Sequence, residues 1–262
     1  NGWSGDNSSW KTASISLPVS LEGESDVRFR FYFGSDGSNE DDGVAFDNFS
    51  ITGFIVKDKD SRIEVGTVLT EPGSISSLVD TDGEKVDVFD FTLTDLGSGD
   101  GVPTIIDALT IVPGTDNEVG DWTNVIAGAR LNGPDVSDLS ASSISATGIT
   151  FSSNDMISLA DGATGETYTL KIWLRTSMSP AASIDGDQLD FKLEASGITE
   201  DPTGSSFGAS ESEESGGIAI DVVGTALSFV QQPTNAEANV TMSPNVTVEV
   251  IDVNGHRDTD YS

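Results

Sequence analysis

The sequence predicts an all-β protein made of tandem antiparallel β-sandwiches. Three observations carry that prediction. Asp-Gly recurs at 36, 42, 82, 100, 161 and 185, and Asn-Gly at 1, 132 and 254. These dipeptides favour the positive φ of tight hairpin turns. The runs between them alternate with period two, apolar on one face and polar on the other, which suits an antiparallel sheet with one face in water. Helical spacing is found in a single segment.

In chain order, "VRFRFYF" (27–33) sets Val27, Phe29, Phe31 and Phe33 on one face and Arg28, Arg30 and Tyr32 on the other. "KDKDSR" (57–62) has no large apolar side chain and reads as a linker. In "NEVGDWTNVIAGARL" (117–131), Asp121 is placed to cap a helix with Trp122, Val125, Ile126 and Ala129 at helical spacing, so one or two turns are expected. "TYTLKIWLR" (167–175) turns Tyr168, Leu170, Ile172 and Leu174 inward and Lys171, Trp173 and Arg175 outward. The Gly/Ser/Glu-rich stretch 199–217 reads as a long surface loop or a hinge. Strand signals resume at "GIAIDVVG", and in "VTVEV" Val246, Val248 and Val250 alternate with Thr247 and Glu249.

These breaks divide the chain into segments 1–57, 58–222 and 223–262. The middle one has the length of a complete sandwich. The last offers about three strands, too few to bury a core alone, and the first meets the same difficulty. Both read as partial domains, and the chain as a piece of something longer.

Charge is the strongest bulk signal. Forty-four acidic residues against twelve basic ones give a formal net charge of −32. That excludes the basic footprint a nucleic-acid-binding protein needs and disfavours anionic membrane surfaces. Such a charge also repels itself in the compact state, which bound divalent cations or a saline medium would relieve. There is no cysteine, hence no disulfide and no thiolate metal site. No apolar run approaches a membrane span, and "NGWSGDNSSW" carries no apolar signal-peptide region.

The candidate chemistry is calcium binding at acidic turns. Hard cations take six to eight oxygens, drawn from carboxylates, carbonyls and water, on loops that curl. The richest candidate is Asp36, Asn39, Asp41, Asp42 and Asp47, five residues crowded at one hairpin tip. Asp80, Asp82 and Asp87 form a second, weaker set; Asp185, Asp187 and Asp190 a third; Asp252, Asn254, Asp258 and Asp260 a fourth. None has EF-hand spacing, and Asp or Asn before Gly is also an ordinary turn former.

Catalysis is disfavoured. Paired carboxylates on a solvated hairpin tip lack the neighbours that push two pKa values apart. The lone histidine, His256, sits on a turn and is expected to be solvated. There is no G-x-S-x-G elbow, no H-E-x-x-H pair and no phosphate loop. For sugar binding the candidates are the aromatic residues Trp3, Trp10 and Trp173. Trp173, on the polar face of its strand, is alternatively expected to pack beneath the 199–217 loop.

The stretch from Trp10 through "LPVSLEGESDVRFRFYFGSDGSNEDDGVAFDNFSITG" resembles the second half of a jelly-roll module of the MAM and cleaved-adhesin type, most diagnostically in "DGVAFDNFSI" (42–51). The resemblance implies a β-sandwich used for adhesion or carbohydrate contact, often with bound calcium, and points to Asp36, Asp42 and Asp47. It places Trp10 in a core. "FVQQPTNAEANVTMSPNVTVEVIDVNGHRDTDYS" is similar to the opening strands of bacterial immunoglobulin-like repeats, with His256 where a small polar residue is usual. The middle and end resemble stretches of very large surface proteins of Bacteroidota exported by the type IX route. The resemblances imply a calcium-stabilised structural or adhesive segment of a secreted cell-surface protein. Its partners would be neighbouring domains of the same chain and surface glycans. The rival expectation is a carbohydrate-binding accessory region of a secreted hydrolase.

Overall fold

The computed structural model of the chain describes residues 9–10, 12, 14–17, 27–32, 47–50, 59–97, 101–181, 183–235 and 237–261. The chain divides into two compact units, Asn1–Val56 and Lys57–Ser262.

In the first unit, Phe29 and Phe31 both meet the ring of Phe49 edge-on, with centroids 5.7 and 5.4 Å apart. Residues two apart on an extended chain point to the same side, so the two rings share the apolar face that the alternation assigns them. On the intervening positions the Arg30 guanidinium lies 5.8 Å from the Tyr32 ring. Trp10 is largely exposed, where the resemblance had placed it in a core.

Among the described residues of the second unit, the regular structure is strand apart from two short 3-10 turns. Its strands are β1 (Ser61–Val65), β2 (Ser74–Ser76), β3 (Val86–Asp95), β4 (Thr104–Pro113), β5 (Ile126–Asn132), β6 (Leu139–Ser140), β7 (Ser143–Ser145) and β8 (Gly148–Leu159). There follow β9 (Glu166–Leu174), β10 (Gln188–Leu189), β11 (Phe191–Glu200), β12 (Ser212–Glu214), β13 (Ile218–Asp221), β14 (Ala226–Gln231), β15 (Thr247–Ile251) and β16 (Arg257–Asp258). Two five-stranded antiparallel sheets, β1-β3-β9-β5-β6 and β12-β11-β4-β8-β7, form the sandwich. A small sheet, β10-β13-β2, contains a parallel pair between β13 and β2. A last antiparallel sheet is β14-β15-β16.

The alternation explains the core. Tyr168, Leu170, Ile172 and Leu174 of β9 are fully buried, as are Phe89, Phe91 and Leu93 of β3. They meet Ile106, Leu109 and Ile111 of β4, Phe151 of β8 and Phe191 and Leu193 of β11 in one apolar cluster. Trp122 closes one end against the Phe191 ring at 5.2 Å. Burying a side chain of this size contributes roughly 1.5–3 kcal/mol.

Three local expectations meet a different structure. At 117–131 the chain makes one 3-10 turn, Trp122–Asn124, capped by Asp121, whose Oδ1 accepts from Thr123 N at 2.9 Å. It then enters β5, because β-branched Val125 and Ile126 suit a strand and the β9 backbone is there to pair. The proposed linker ends early: Ser61 and Arg62 belong to β1, and Ser61 is buried with its hydroxyl 2.7 Å from that of Thr104. The 199–217 stretch is anchored to the sandwich. Phe207 is buried and bridges to Ser61, and Ser215 donates to the buried Asp190 at 2.8 Å.

Candidate metal centres and a buried polar joint

The acidic sets read from the sequence fare differently once folded. Of the first, Asp36, Asn39, Asp41 and Asp42 lie outside the described residues, as does Trp3. Asp47 accepts the N–H of Asn48 at 2.9 Å, beside a left-handed Asn48 with φ 56°. Members of the second set go to separate partners. Asp82 takes a two-pronged bond from Arg130, at 3.2 and 2.7 Å, and also meets Lys85. The Arg130 hydrogen bond holds the Asp82 carboxyl below the usual range. Asp87 pairs with Lys171 at 2.8 Å, and Asp80 accepts from Asn254 Nδ2 at 3.1 Å.

Among the described residues, three carboxylate groups lie close enough to share an ion: Asp60, Asp95 and Asp161; Asp107, Asp155 and Asp201; and Asp185, Asp258 and Asp260. In the first, buried Asp95 accepts from Thr104 Oγ1 at 2.8 Å and from the N–H groups of Gly97 and Gly162. In the second, Asp107 Oδ1 accepts from Asp155 N at 2.9 Å. The last draws one residue from the third sequence set and two from the fourth.

That last group sits beside a polar joint which ties the β14-β15-β16 sheet to the sandwich. The turn between β15 and β16 is closed by Asp252 Oδ1, which accepts from Asn254 N and His256 N at 2.9 and 2.8 Å. Gly255 takes φ 88°, the positive value that Asn-Gly turns demand. The turn places His256 against Asp252, with Nδ1 2.9 Å from Oδ2. His256 Nε2 accepts from Met178 N at 2.9 Å. An accepting Nε2 carries no proton, so the proton is on Nδ1 and is donated to Asp252.

Both side chains are essentially without solvent contact, His256 at 1% exposure and Asp252 at 1%. The expectation of a solvated turn histidine is therefore corrected. The turn is local, but the cover comes from the distant Met178 segment. Burial raises the Asp252 carboxyl, yet its bonds from His256 and Ser77 outweigh burial and hold it below the ordinary value. Around this pair, Arg257 N donates to Ala181 O at 3.0 Å, and Asp185 Oδ2 accepts from Thr259 N and Oγ1, both at 2.7 Å.

Trp173 projects from the outer face of the first sheet and lies over Gly128, where a Cβ would come within 2.0 Å of the indole. Arg130 stacks 5.9 Å from its ring. Arg175 and Ser140 line the same open groove. The 199–217 stretch instead runs along the opposite sheet, through β12. No protein-family model matches the chain, and no curated protein matches it.

Proposed function

We propose that the chain is a non-catalytic structural or adhesive segment of a large secreted cell-surface protein, in which successive β modules are held at fixed angles. The observation that carries this reading is the Asp252–His256–Met178 joint. A buried, hydrogen-bonded histidine between the β15–β16 turn and the segment after β9 fixes orientation, because its bonds are directional whereas apolar burial is not. The Asp–His pair has two parts of a nucleophile-activating triad. Its Nε2, which would have to take a proton from a nucleophile, is occupied by a backbone N–H instead. That favours a mechanical role over a chemical one.

An extracellular setting fits the charge of −32 and the absence of cysteine, and the neighbours of such a segment are other modules of the same chain. No helix among the described residues is long and apolar enough to cross a membrane. Since the chain has no cysteine, spin labels at Ser153→Cys and Thr247→Cys report one distance between sandwich and C-terminal sheet. A narrow distribution that broadens in His256→Ala is expected. A broad distribution in the parent chain sinks the reading.

The second reading, a carbohydrate-binding accessory module, draws on the Trp173 groove, where an indole lies beside Arg130 and Ser140 in an open trough. Polysaccharide retardation in native gels that Trp173→Ala abolishes would favour it.

A further inference from the structure

The joint carries a group of charges that its own hydrogen bonds leave uncompensated. Asp185 lies in the turn before β10, Asp258 ends β16, and Asp260 follows two residues later. One carboxylate oxygen from each lies within 4.8 Å of the others. That span is about twice a calcium–oxygen bond of roughly 2.4 Å, so a single ion reaches all three. Among the described residues no lysine or arginine pairs with any of them.

The independent observation is at Asp258. It is 9% exposed, and its Oδ2 accepts the Gly224 N–H at 2.9 Å. Its Oδ1 is buried with no hydrogen-bond partner. Native structures rarely leave a buried carboxylate oxygen unsatisfied, and an ion is one of the few things that satisfies it. Oδ2 already accepts from Gly224 N, which leaves Oδ1 as the oxygen without a protein donor.

We propose that Asp185, Asp258 and Asp260 bind a hard divalent cation, calcium by their chemistry. The donors are all oxygen, which disfavours zinc and copper. They come from two separate chain segments with no octahedral frame, which suits the flexible coordination of calcium better than that of magnesium. Water completes the shell on the exposed Asp260 side. The ion staples the turn before β10 to β16. For that mechanical role the proposal rests on the stiff-joint reading.

The test is calcium titration by calorimetry of the full 262-residue chain, stripped with EDTA, in about 0.15 M salt, where diffuse surface attraction is screened. Asp260→Asn and Asp258→Asn are compared with the parent. Losing an outer-shell partner already weakens metal sites by about 10–100-fold. Each variant is therefore expected to lose one calcium equivalent, or to bind it at least about tenfold more weakly. Unchanged binding in Asp260→Asn, or a parent that binds no calcium, overturns the proposal. Asp260 is exposed, so its variant decides the matter should Asp258→Asn fail to fold. The spin-label distance separates the two readings. A narrow distribution without calcium binding removes only the ion site. A broad distribution despite bound calcium removes only the stiff joint.

Discussion

The sandwich and the C-terminal sheet share one sequence pattern and are held in opposite ways. In β9 the alternating Tyr168, Leu170, Ile172 and Leu174 are buried completely between two sheets. In β14 and β15 the alternating Leu227, Phe229 and Val248 are 72%, 51% and 53% exposed. The sandwich is stabilised by apolar area and the C-terminal sheet by a few directional bonds at one end, chiefly those of Asp252, His256 and Asp258. Area makes a fold stable, and directional bonds make an orientation unique. A segment whose role is to set angles between modules needs the second kind at its seams.

The largest expected effect tests the sandwich side. Phe151→Ala leaves a large cavity at a fully buried position and is expected to cost about 3–5 kcal/mol in chemical denaturation. Next comes His256→Ala, which removes a hydrogen-bond partner from the buried Asp252 carboxylate. Losing a bond to a charged group at such a site costs about 1.5–3 kcal/mol. The loss should be local. Amide exchange of Val250 and Ile251 should accelerate while that of β3 and β9 stays slow. Equal acceleration in both would show that the joint and the sandwich unfold as one, and the contrast between them would fall.

These two residues also mark what the sequence tells and what it withholds. The inward face of β9 is legible because period two is a local property of the chain. The Asp252–His256 pairing is half legible, since both flank an Asn-Gly turn that brings them together. Its burial is not, because Met178 arrives from far along the chain. The ion group is the clearest case. Sequence proximity groups Asp185 with Asp187 and Asp190, and Asp258 with Asp252, Asn254 and Asp260. The fold regroups them, sending Asp190 to Ser215, Asp252 to His256 and Asn254 to Asp80. Clustering along the sequence found acidic turns but could not say which turns meet. Of the one or two turns expected at 117–131 a single 3-10 turn capped by Asp121 is present, because pairing with β9 outweighs local spacing beyond it.

Acid should test the joint through Asp252. Asp252 has a folded-state pKa below its ordinary value. Its stabilising contribution is present above about pH 3.9, the unfolded value, and is lost as pH falls through the depressed one. On the sandwich the shifts go both ways: Glu71, Asp190 and Glu213 are raised, by burial first, while hydrogen bonds from Arg130 and Thr115 hold Asp82 and Glu214 low, Glu214 at about 2. The raised groups oppose folding while ionised and cease to do so as pH falls through their raised values, and Glu214 keeps its stabilising contribution until pH falls to about 2. The spin-label distribution should therefore broaden below about pH 3.9 while the far-UV signal of the sandwich persists. Simultaneous loss of both would show that the joint has no separate acid limit.

The smallest expected effect is the most discriminating. Leu227→Ser alters a residue with the same alternation as Leu170 but 72% exposure. Surface substitutions away from special features stay within about 0.5 kcal/mol, so thermal unfolding should barely move. Leu170→Ser, at full burial, should by contrast unfold the sandwich. A loss well above about 0.5 kcal/mol at Leu227 would mean that something covers that face in solution. Repeating the measurement across a hundredfold range of protein concentration would then tell a second copy of the chain from an intramolecular cover, because only self-association makes the midpoint concentration-dependent.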